Sequence, residues 1–223
     1  MNRIKLANLL ILPFIFSLLN GDEDYGAIGT SRPGAANPTS SVPIGLYQFE
    51  IGLNSDMNDI FTYPLIFRTG IFSKTEIQVG YSDNISIGIL YGSFNIAKSL
   101  EQSIIFSTSL SESNNEISAI DLYLPFSLST SFPIWGQIAG SFPFQEAEST
   151  SFSYALGTGN TFTDKINWFI EYYGDVTTSE QGVDTGGTYL LNQTMQLDFS
   201  FGTSLTNTES RFVELGFSFR IPK

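Results

Sequence analysis

The feature that most restricts the fold of this chain is a strict alternation of apolar and polar side chains, which recurs from Leu46 to the C-terminus. In the first such segment, Tyr47, Phe49, Ile51 and Leu53 alternate with polar or small residues. The seven most regular segments contain 30 positions on the apolar side of the pattern, and 29 of them are apolar. Only 3 of the 23 intervening positions are apolar. Because successive side chains of a strand point to opposite faces, the pattern predicts strands with one apolar and one polar face.

Twelve alternating segments can be distinguished, each about ten residues long and followed by a few polar turn residues. The less regular ones lie near residues 61–71, 100–110, 134–142, 151–157 and 184–191. An even number of such segments in sequence is typical of an all-β fold, an antiparallel up-and-down transmembrane β-barrel of about 12 strands. We expect this barrel to occupy residues 46–223.

A soluble β-sandwich would also show alternation, since its inner faces are apolar and its outer faces are polar. The polar positions here are mostly Gly, Ser and Gln with few charges, whereas a solvated face normally carries many Lys and Glu side chains. The apolar positions are rich in aromatic residues and recur at nearly constant spacing. Both features favour a barrel with its apolar face towards lipid and its polar face towards the lumen.

The connections between segments give a second, independent indication. If both termini are periplasmic, the odd-numbered connections face outside, and these are mostly the longer ones, as membrane barrels require. They carry 11 acids and no Lys or Arg, among them Asp56, Asp59, Glu146, Glu148 and Asp184. The inner turns are instead flanked by the bases Lys74, Lys98 and Lys165. A sandwich has no reason to sort charge by alternate turns.

The N-terminus has the pattern of a secretory signal. Arg3 and Lys5 precede an apolar run from Leu6 to Leu19, and we expect residues 1–21 to form a cleaved signal peptide. The alternatives are a short buried helix or an inner-membrane anchor, although 14 residues are fewer than the roughly 20 that a spanning helix needs. Residues 22–45 contain Pro, Gly and Ser without periodicity, which predicts an extended leader before the first strand. The expected location is the outer membrane of a Gram-negative bacterium.

Several classes of function are disfavoured by composition. The chain contains neither His nor Cys, which excludes histidine-dependent nucleophilic catalysis, the usual zinc sites and disulfides. We therefore expect no enzyme activity, no cofactor and no metal. The net charge of −12 opposes nucleic-acid binding, because phosphates need Lys and Arg to neutralise them. The expected partners are outer-membrane lipid, small-molecule solutes, and the machinery for export and barrel assembly.

The polar face of the strands supplies the candidate site. The residues predicted to line the lumen are Gln48, Glu50, Arg68, Glu76, Gln78, Asp121, Glu171, Gln196, Asp198, Glu214 and Arg220. They could pair across a narrow barrel and fill it, or they could border a conducting path. Two functions remain open: a narrow channel for small solutes with a preference for cations or neutral molecules, and a non-conducting structural or adhesive protein that acts through its acidic outer loops.

A set of dispersed motifs resembles the putative MetA-pathway-of-phenol-degradation transporter family, a group of outer-membrane β-barrels. The motifs are Ser31-Arg32-Pro33, Val42-Pro43-Ile44-Gly45-Leu46-Tyr47-Gln48-Phe49-Glu50, Phe67-Arg68-Thr69-Gly70, Thr185-Gly186-Gly187-Thr188-Tyr189 and Phe212-Val213-Glu214-Leu215-Gly216-Phe217. The chain has Gly34 where the family usually has an acid after Arg-Pro. The resemblance implies a barrel that takes up hydrophobic or aromatic solutes.

Overall fold

The computed structural model describes residues 25–57, 60–82, 85–110, 117–144, 149–206 and 210–223, except for the side chains at positions 93 and 95. The signal-peptide prediction for residues 1–21 falls outside these ranges. Within them, no helix has the length and apolar character needed to cross a membrane.

The described chain forms one antiparallel sheet that closes on itself. Its strand segments are β1 (Leu46–Ser55), β2 (Phe61–Thr62), β3 (Leu65–Phe72), β4 (Thr75–Tyr81), β5 (Ile85–Ala97), β6 (Leu100–Leu110), β7 (Ile117–Leu128), β8 (Ile134–Pro143), β9 (Ser151–Thr163), β10 (Ile166–Asp175), β11 (Gln181–Asn192), β12 (Met195–Ser204) and β13 (Arg211–Pro222). Both β2 and β3 pair with β1, so together they act as one strand. Each later strand pairs with the one before it, and β13 returns to β1. The predicted all-β, twelve-stranded barrel is therefore confirmed.

The barrel closes along the seam between β1 and β13. These strands are in unbroken register from Leu46 opposite Pro222 to Ser55 opposite Val213. On the outer surface, the Phe49 ring stacks on Phe219 and packs against Phe67, with a centroid separation of 5.2 Å in each case. Cross-strand aromatic pairs of this kind stabilise neighbouring strands, so the seam is held by side chains as well as by the backbone.

The two ends of the barrel differ as the connections predicted. Four of the five turns at the end that carries both termini have two residues, at 73–74, 98–99, 164–165 and 193–194, and the fifth spans 129–133. Most connections at the other end are longer, up to the seven residues of 144–150. Since membrane barrels have short periplasmic turns and longer outer loops, the ends are called periplasmic and outer here.

The distribution of apolar and charged side chains is the reverse of that in a soluble protein. Large apolar side chains are exposed on the outer face, for example Ile51 at 46 %, Phe106 at 52 % and Leu197 at 42 %. Charged side chains are buried inside, and Glu50 is wholly inaccessible to solvent. Because a lipid-facing surface must be apolar and a closed barrel leaves no strand edge unpaired, this arrangement suits a membrane.

One predicted connection is wrong. Asp184, which was counted among the acids of the outer connections and marked the start of the predicted segment 184–191, lies within β11 with 4 % of its surface exposed, and the connection before it spans only residues 176–180. The inner face of this strand alternates through Gly182, Asp184 and Gly186. Because glycine has no side chain, the alternation of apolar and polar residues is not visible at this end of β11, and the start of the strand could not be located from the sequence.

Candidate functional site: the filled lumen

Residues 25–45, called the luminal segment below, lie inside the barrel. The segment enters beside β3, where Ile44 forms a bridge with Gly70, and ends near the periplasmic turn, where the Ile28 amide donates to the Gln193 carbonyl at 2.9 Å. Between these points it crosses the lumen without regular secondary structure. The Pro, Gly and Ser content of residues 22–45 predicted an extended leader, but it did not predict that residues 25–45 lie within the lumen.

The base of the segment is held by a buried ionic cluster. Arg68 Nε donates to Glu76 Oε1 at 2.8 Å, and Arg68 Nη1 donates to Glu50 Oε1 at 3.0 Å. Gln48 links this group to a second cation, because Arg220 Nε donates to Gln48 Oε1 at 2.7 Å while Gln48 Nε2 donates to Glu50. Two acids and two bases therefore balance one another, as buried charges must.

The same cluster binds the backbone of the luminal segment. Arg68 donates to the carbonyls of Gly29 at 3.3 Å and Ser40 at 3.2 Å, and the Val42 amide donates to Glu76 Oε2 at 2.5 Å. Arg220 donates to the Ala27 carbonyl at 3.3 Å. Both arms of the segment are thus tied to one set of charges on the barrel wall.

Arg32 lies deepest in the barrel and faces β1, β12 and β13, on the seam side of the lumen. Its guanidinium donates to Asn54 Oδ1 at 3.0 Å and lies 3.5 Å from Glu214 and 3.9 Å from Asp198. It passes over Gly52, where a Cβ would meet Arg32 Cζ at 2.5 Å. A residue with a side chain at this position would displace the guanidinium, so glycine is required for the approach.

Further contacts follow the segment around the barrel. Asn37 donates to Gln137 Oε1 from its amide at 3.0 Å and from Nδ2 at 2.8 Å. Thr39 donates to Glu101 Oε2 at 2.8 Å, and the Ala35 amide donates to Glu171 Oε2 at 2.5 Å. These contacts attach the segment to β6, β8 and β10, opposite the seam.

All eleven predicted lumen residues lie on the inner face, in four groups. The ionic cluster brings together Gln48, Glu50, Arg68, Glu76, Gln78 and Arg220. Asp198 and Glu214 face Arg32. Glu171 binds Ala35 and Trp135, Gln196 binds Thr30, and Asp121 is half-buried on β7. Their role in lining a conducting path remains a prediction.

The sequence analysis did not identify the residues of the luminal segment that contact the wall, nor several of the wall residues opposite the seam. They are Thr30, Arg32, Asn37, Thr39, Glu101, Trp135 and Gln137. Arg32 gave one usable signal, because it is the only charged residue between Asp24 and Gln48. The others carry no local signal, since each acquires its role through a partner distant in sequence.

Two cavities remain around the luminal segment. The periplasmic cavity has a volume of about 430 Å³ and is bordered by Trp135, Asn167 and Phe169 together with Asn37. The outer cavity has a volume of about 450 Å³ and is bordered by Gln137, Tyr173 and Phe212 together with Ala35. Both adjoin β8, β9 and β10. The contacts of Ala35 with Glu171 and of Asn37 with Gln137 each join a residue that lines one cavity to a residue that lines the other.

Solved structures similar to this barrel are porins. The KdgM porin gives a TM-score of 0.62 at 10 % identity and covers 77 % of this chain and 98 % of its own. The same porin in complex with disordered oligogalacturonate gives 0.60 at 10 % identity, with 78 % and 98 % covered. The NanC porin gives 0.57 at 9 % identity, with 78 % and 98 % covered. At these identities the likeness shows the fold, which is that of an outer-membrane β-barrel.

Comparison with curated proteins gives no match. A family model described as Uncharacterised conserved protein UCP029691 matches residues 91–221. This model does not assign the chain to the phenol-degradation transporter family that its motifs resemble. Because the match spans more than half of the chain, the protein belongs to the family of Uncharacterised conserved protein UCP029691.

Proposed function

We propose that the protein is a narrow outer-membrane channel for small cationic or neutral solutes, constricted by its luminal segment. The observation that carries the proposal is the pair of cavities, one towards each end of the barrel, whose linings are joined by the contacts of Ala35 and Asn37 with the wall. A path along β8–β10 needs a local shift of the segment at these residues. The ionic cluster on β1, β3, β4 and β13 can stay intact while this happens.

Charge supports the proposed selectivity. The inward acids Asp121, Glu171, Asp198 and Glu214 lie outside the balanced cluster, and Arg32 is the base nearest to them on the luminal segment. A lumen of one sign concentrates counter-ions and repels ions of like charge, and salt screens this effect beyond roughly 10 Å at 0.1 M. A polyanion such as the oligogalacturonate bound by the KdgM porin would be disfavoured here.

The resemblance to phenol-degradation transporters adds hydrophobic or aromatic solutes to the proposal. Trp135 and Phe169 in the periplasmic cavity and Tyr173 and Phe212 in the outer cavity supply aromatic surface for such solutes. The protein would then act by passage of the solute and not by chemical conversion.

A second candidate function is a non-conducting structural or adhesive barrel. The observation in its favour is the number of hydrogen bonds between the luminal segment and the wall, which reach from β1 to β13. If these never open, the barrel is closed and only its acidic outer loops remain for interaction.

Planar-bilayer recording with the purified chain separates the two candidates. We expect small unit currents whose reversal potential under a salt gradient shows cation preference, weakening as salt rises. The variant Gln137→Ala removes the acceptor of both Asn37 hydrogen bonds and should raise the unit conductance. The control Asn192→Ala changes an exposed side chain beside a periplasmic turn and should leave the unit conductance unaltered.

Two results would count against the channel. Absence of currents from both the unmodified chain and Gln137→Ala, with the barrel shown to be folded, would favour the structural function. Anion preference would contradict the proposed selectivity.

A further inference from the structure

The outer cavity has the chemistry of a binding site and not merely that of a wider part of the lumen. Its inward-facing walls come from β8, β9, β10, β12 and β13, with Ala35 of the luminal segment at its floor. Among the described residues that line it, two acids are present, Asp175 and Glu180, and no Lys or Arg. Two inward-facing aromatic side chains, Tyr173 and Phe212, provide its apolar surface.

Both aromatic rings are held against the barrel wall by glycines on neighbouring strands. A Cβ at Gly182 would lie 2.5 Å from Tyr173 Cζ, and a Cβ at Gly202 would lie 2.2 Å from Phe212 Cζ. These distances show that each ring occupies the space that a side chain on the adjacent strand would fill. The rings therefore have fixed positions beside the cavity before any ligand arrives.

A buried carboxylate lies next to the rings. Asp184 has 4 % of its surface exposed, its Oδ1 accepts no hydrogen bond, and none of the described basic side chains pairs with it. A Cβ added at Gly202 would lie 2.9 Å from the Asp184 Cβ, so Asp184 and the Phe212 ring both approach the same glycine. Asp184 thus lies beside Phe212, although it is not itself among the residues that line the cavity.

Most of the other buried acids lie close to a cation. Glu50 and Glu76 are paired with Arg68, and Asp198 lies 3.9 Å from Arg32. Glu171 also has no basic partner among the described residues, but its carboxylate accepts hydrogen bonds from Trp135 and Ala35. Burial without a cation is costly for a carboxylate, and a positively charged ligand beside Asp184 would relieve that cost. The acids of the described ranges are not grouped in any set of three or more that could hold a metal ion, which disfavours a metal site.

We propose that the outer cavity binds an organic ammonium ion, with its apolar body between Tyr173 and Phe212 and its charge towards Asp184. Aromatic faces attract cations through the ring quadrupole, and a desolvated carboxylate adds direct attraction of the charge. The inference rests on the proposed function in one respect only, since it names a class of solute for the same lumen. Binding itself requires no transport.

The test uses three ligands of nearly the same shape that differ in charge: benzylamine, benzyl alcohol and benzoate. Titration calorimetry with the full mature chain in detergent should show benzylamine binding at least about tenfold more tightly than benzyl alcohol, and no binding of benzoate. Binding of benzylamine should weaken as salt concentration rises, because part of the attraction is electrostatic.

Variants locate the site. Asp184→Asn should weaken benzylamine binding by about tenfold and leave benzyl alcohol unchanged, since one charge is lost at constant shape. Tyr173→Leu should weaken the binding of both ligands. The matched control Asp164→Asn removes the same charge from an exposed periplasmic turn and should have no effect. Mobility on unheated gels shows whether each variant is folded, and Phe212→Leu replaces any variant that is not.

The outcomes distinguish this proposal from the channel. Benzylamine binding without currents would support the site and contradict the channel, whereas currents without benzylamine binding would do the reverse. Equal binding of benzylamine and benzyl alcohol, or a loss in Asp164→Asn as large as in Asp184→Asn, would overturn the proposed site.

Discussion

Each strand residue of this protein faces either lipid or a lumen packed with polar groups, and neighbouring residues face different environments. Phe106 and Ser107 show the contrast in the middle of β6. The Phe106 side chain is 52 % exposed on the outer face, whereas Ser107 is half-buried on the inner face opposite Asp121 of β7. The effect of a charge at either position should therefore depend on side-chain direction alone.

We expect Phe106→Arg to destabilise the inserted barrel by about 2–4 kcal/mol, because Phe106 lies near the middle of the lipid-facing band. The adjacent change Ser107→Arg should cost less than about 1 kcal/mol, since the new cation can pair with Asp121 in the lumen. Reversible urea unfolding in lipid vesicles measures both values. Equal penalties at the two positions would contradict the assigned faces.

At the scale of elements, the luminal segment and the strands that hold it behave as one unit. The segment has no regular secondary structure, and its backbone groups are satisfied by side chains of the wall, notably those of Arg68 and Glu76. Such an element depends on close approach to the barrel. The closest approach is at Gly70 of β3, where a Cβ would lie 2.3 Å from the Val42 carbonyl oxygen.

We expect Gly70→Ala to push the base of the segment away from β3 and to destabilise the protein by about 1–3 kcal/mol, as overpacking does. Residues 25–45 should then be cleaved faster by a protease added at the periplasmic side. Gly88→Ala is the matched control on the inner face of β5, because a Cβ there meets its nearest neighbour at 3.5 Å. The same protease sensitivity in both variants would show that the segment does not depend on contact at Gly70.

At the scale of the whole molecule, the closed hydrogen-bond network and the apolar exterior determine how the protein behaves in a membrane. Among the described strands, all but the two-residue β2 pair on both sides, and the last pairing, between β1 and β13, completes the cylinder. A closed barrel has no open edge at which unfolding can start, and its exposed aromatic and aliphatic side chains require lipid or detergent.

The protein should therefore be recovered with outer membranes and should migrate faster on gels before heating than after it. Phe217→Pro removes a backbone donor from β13, which has a partner on each side, and should abolish this heat-dependent shift. Recovery of the unmodified chain as a detergent-free soluble monomer would contradict the membrane placement.

The sequence alone determined the barrel, the number of its strands, its two faces and the difference between its ends. These properties depend on local information: alternation assigns each residue to a face, and turn residues separate the strands. Strand bounds were predicted less well where the local signal was weak. In β11, Gly182 and Gly186 hide the alternation, so the strand begins at Gln181 and not at Asp184 as predicted.

The contents of the lumen, in contrast, depend on tertiary contacts that no local pattern reveals. The luminal segment has no periodicity, so nothing in its own residues places it inside the barrel. Its position depends on contacts between residues far apart in sequence, such as Asn37 with Gln137 and Arg220 with Ala27. The same long-range contacts separate paired acids such as Glu76 from the unpaired Asp184, because a carboxylate's partners depend on how the barrel closes and not on its neighbours in the chain.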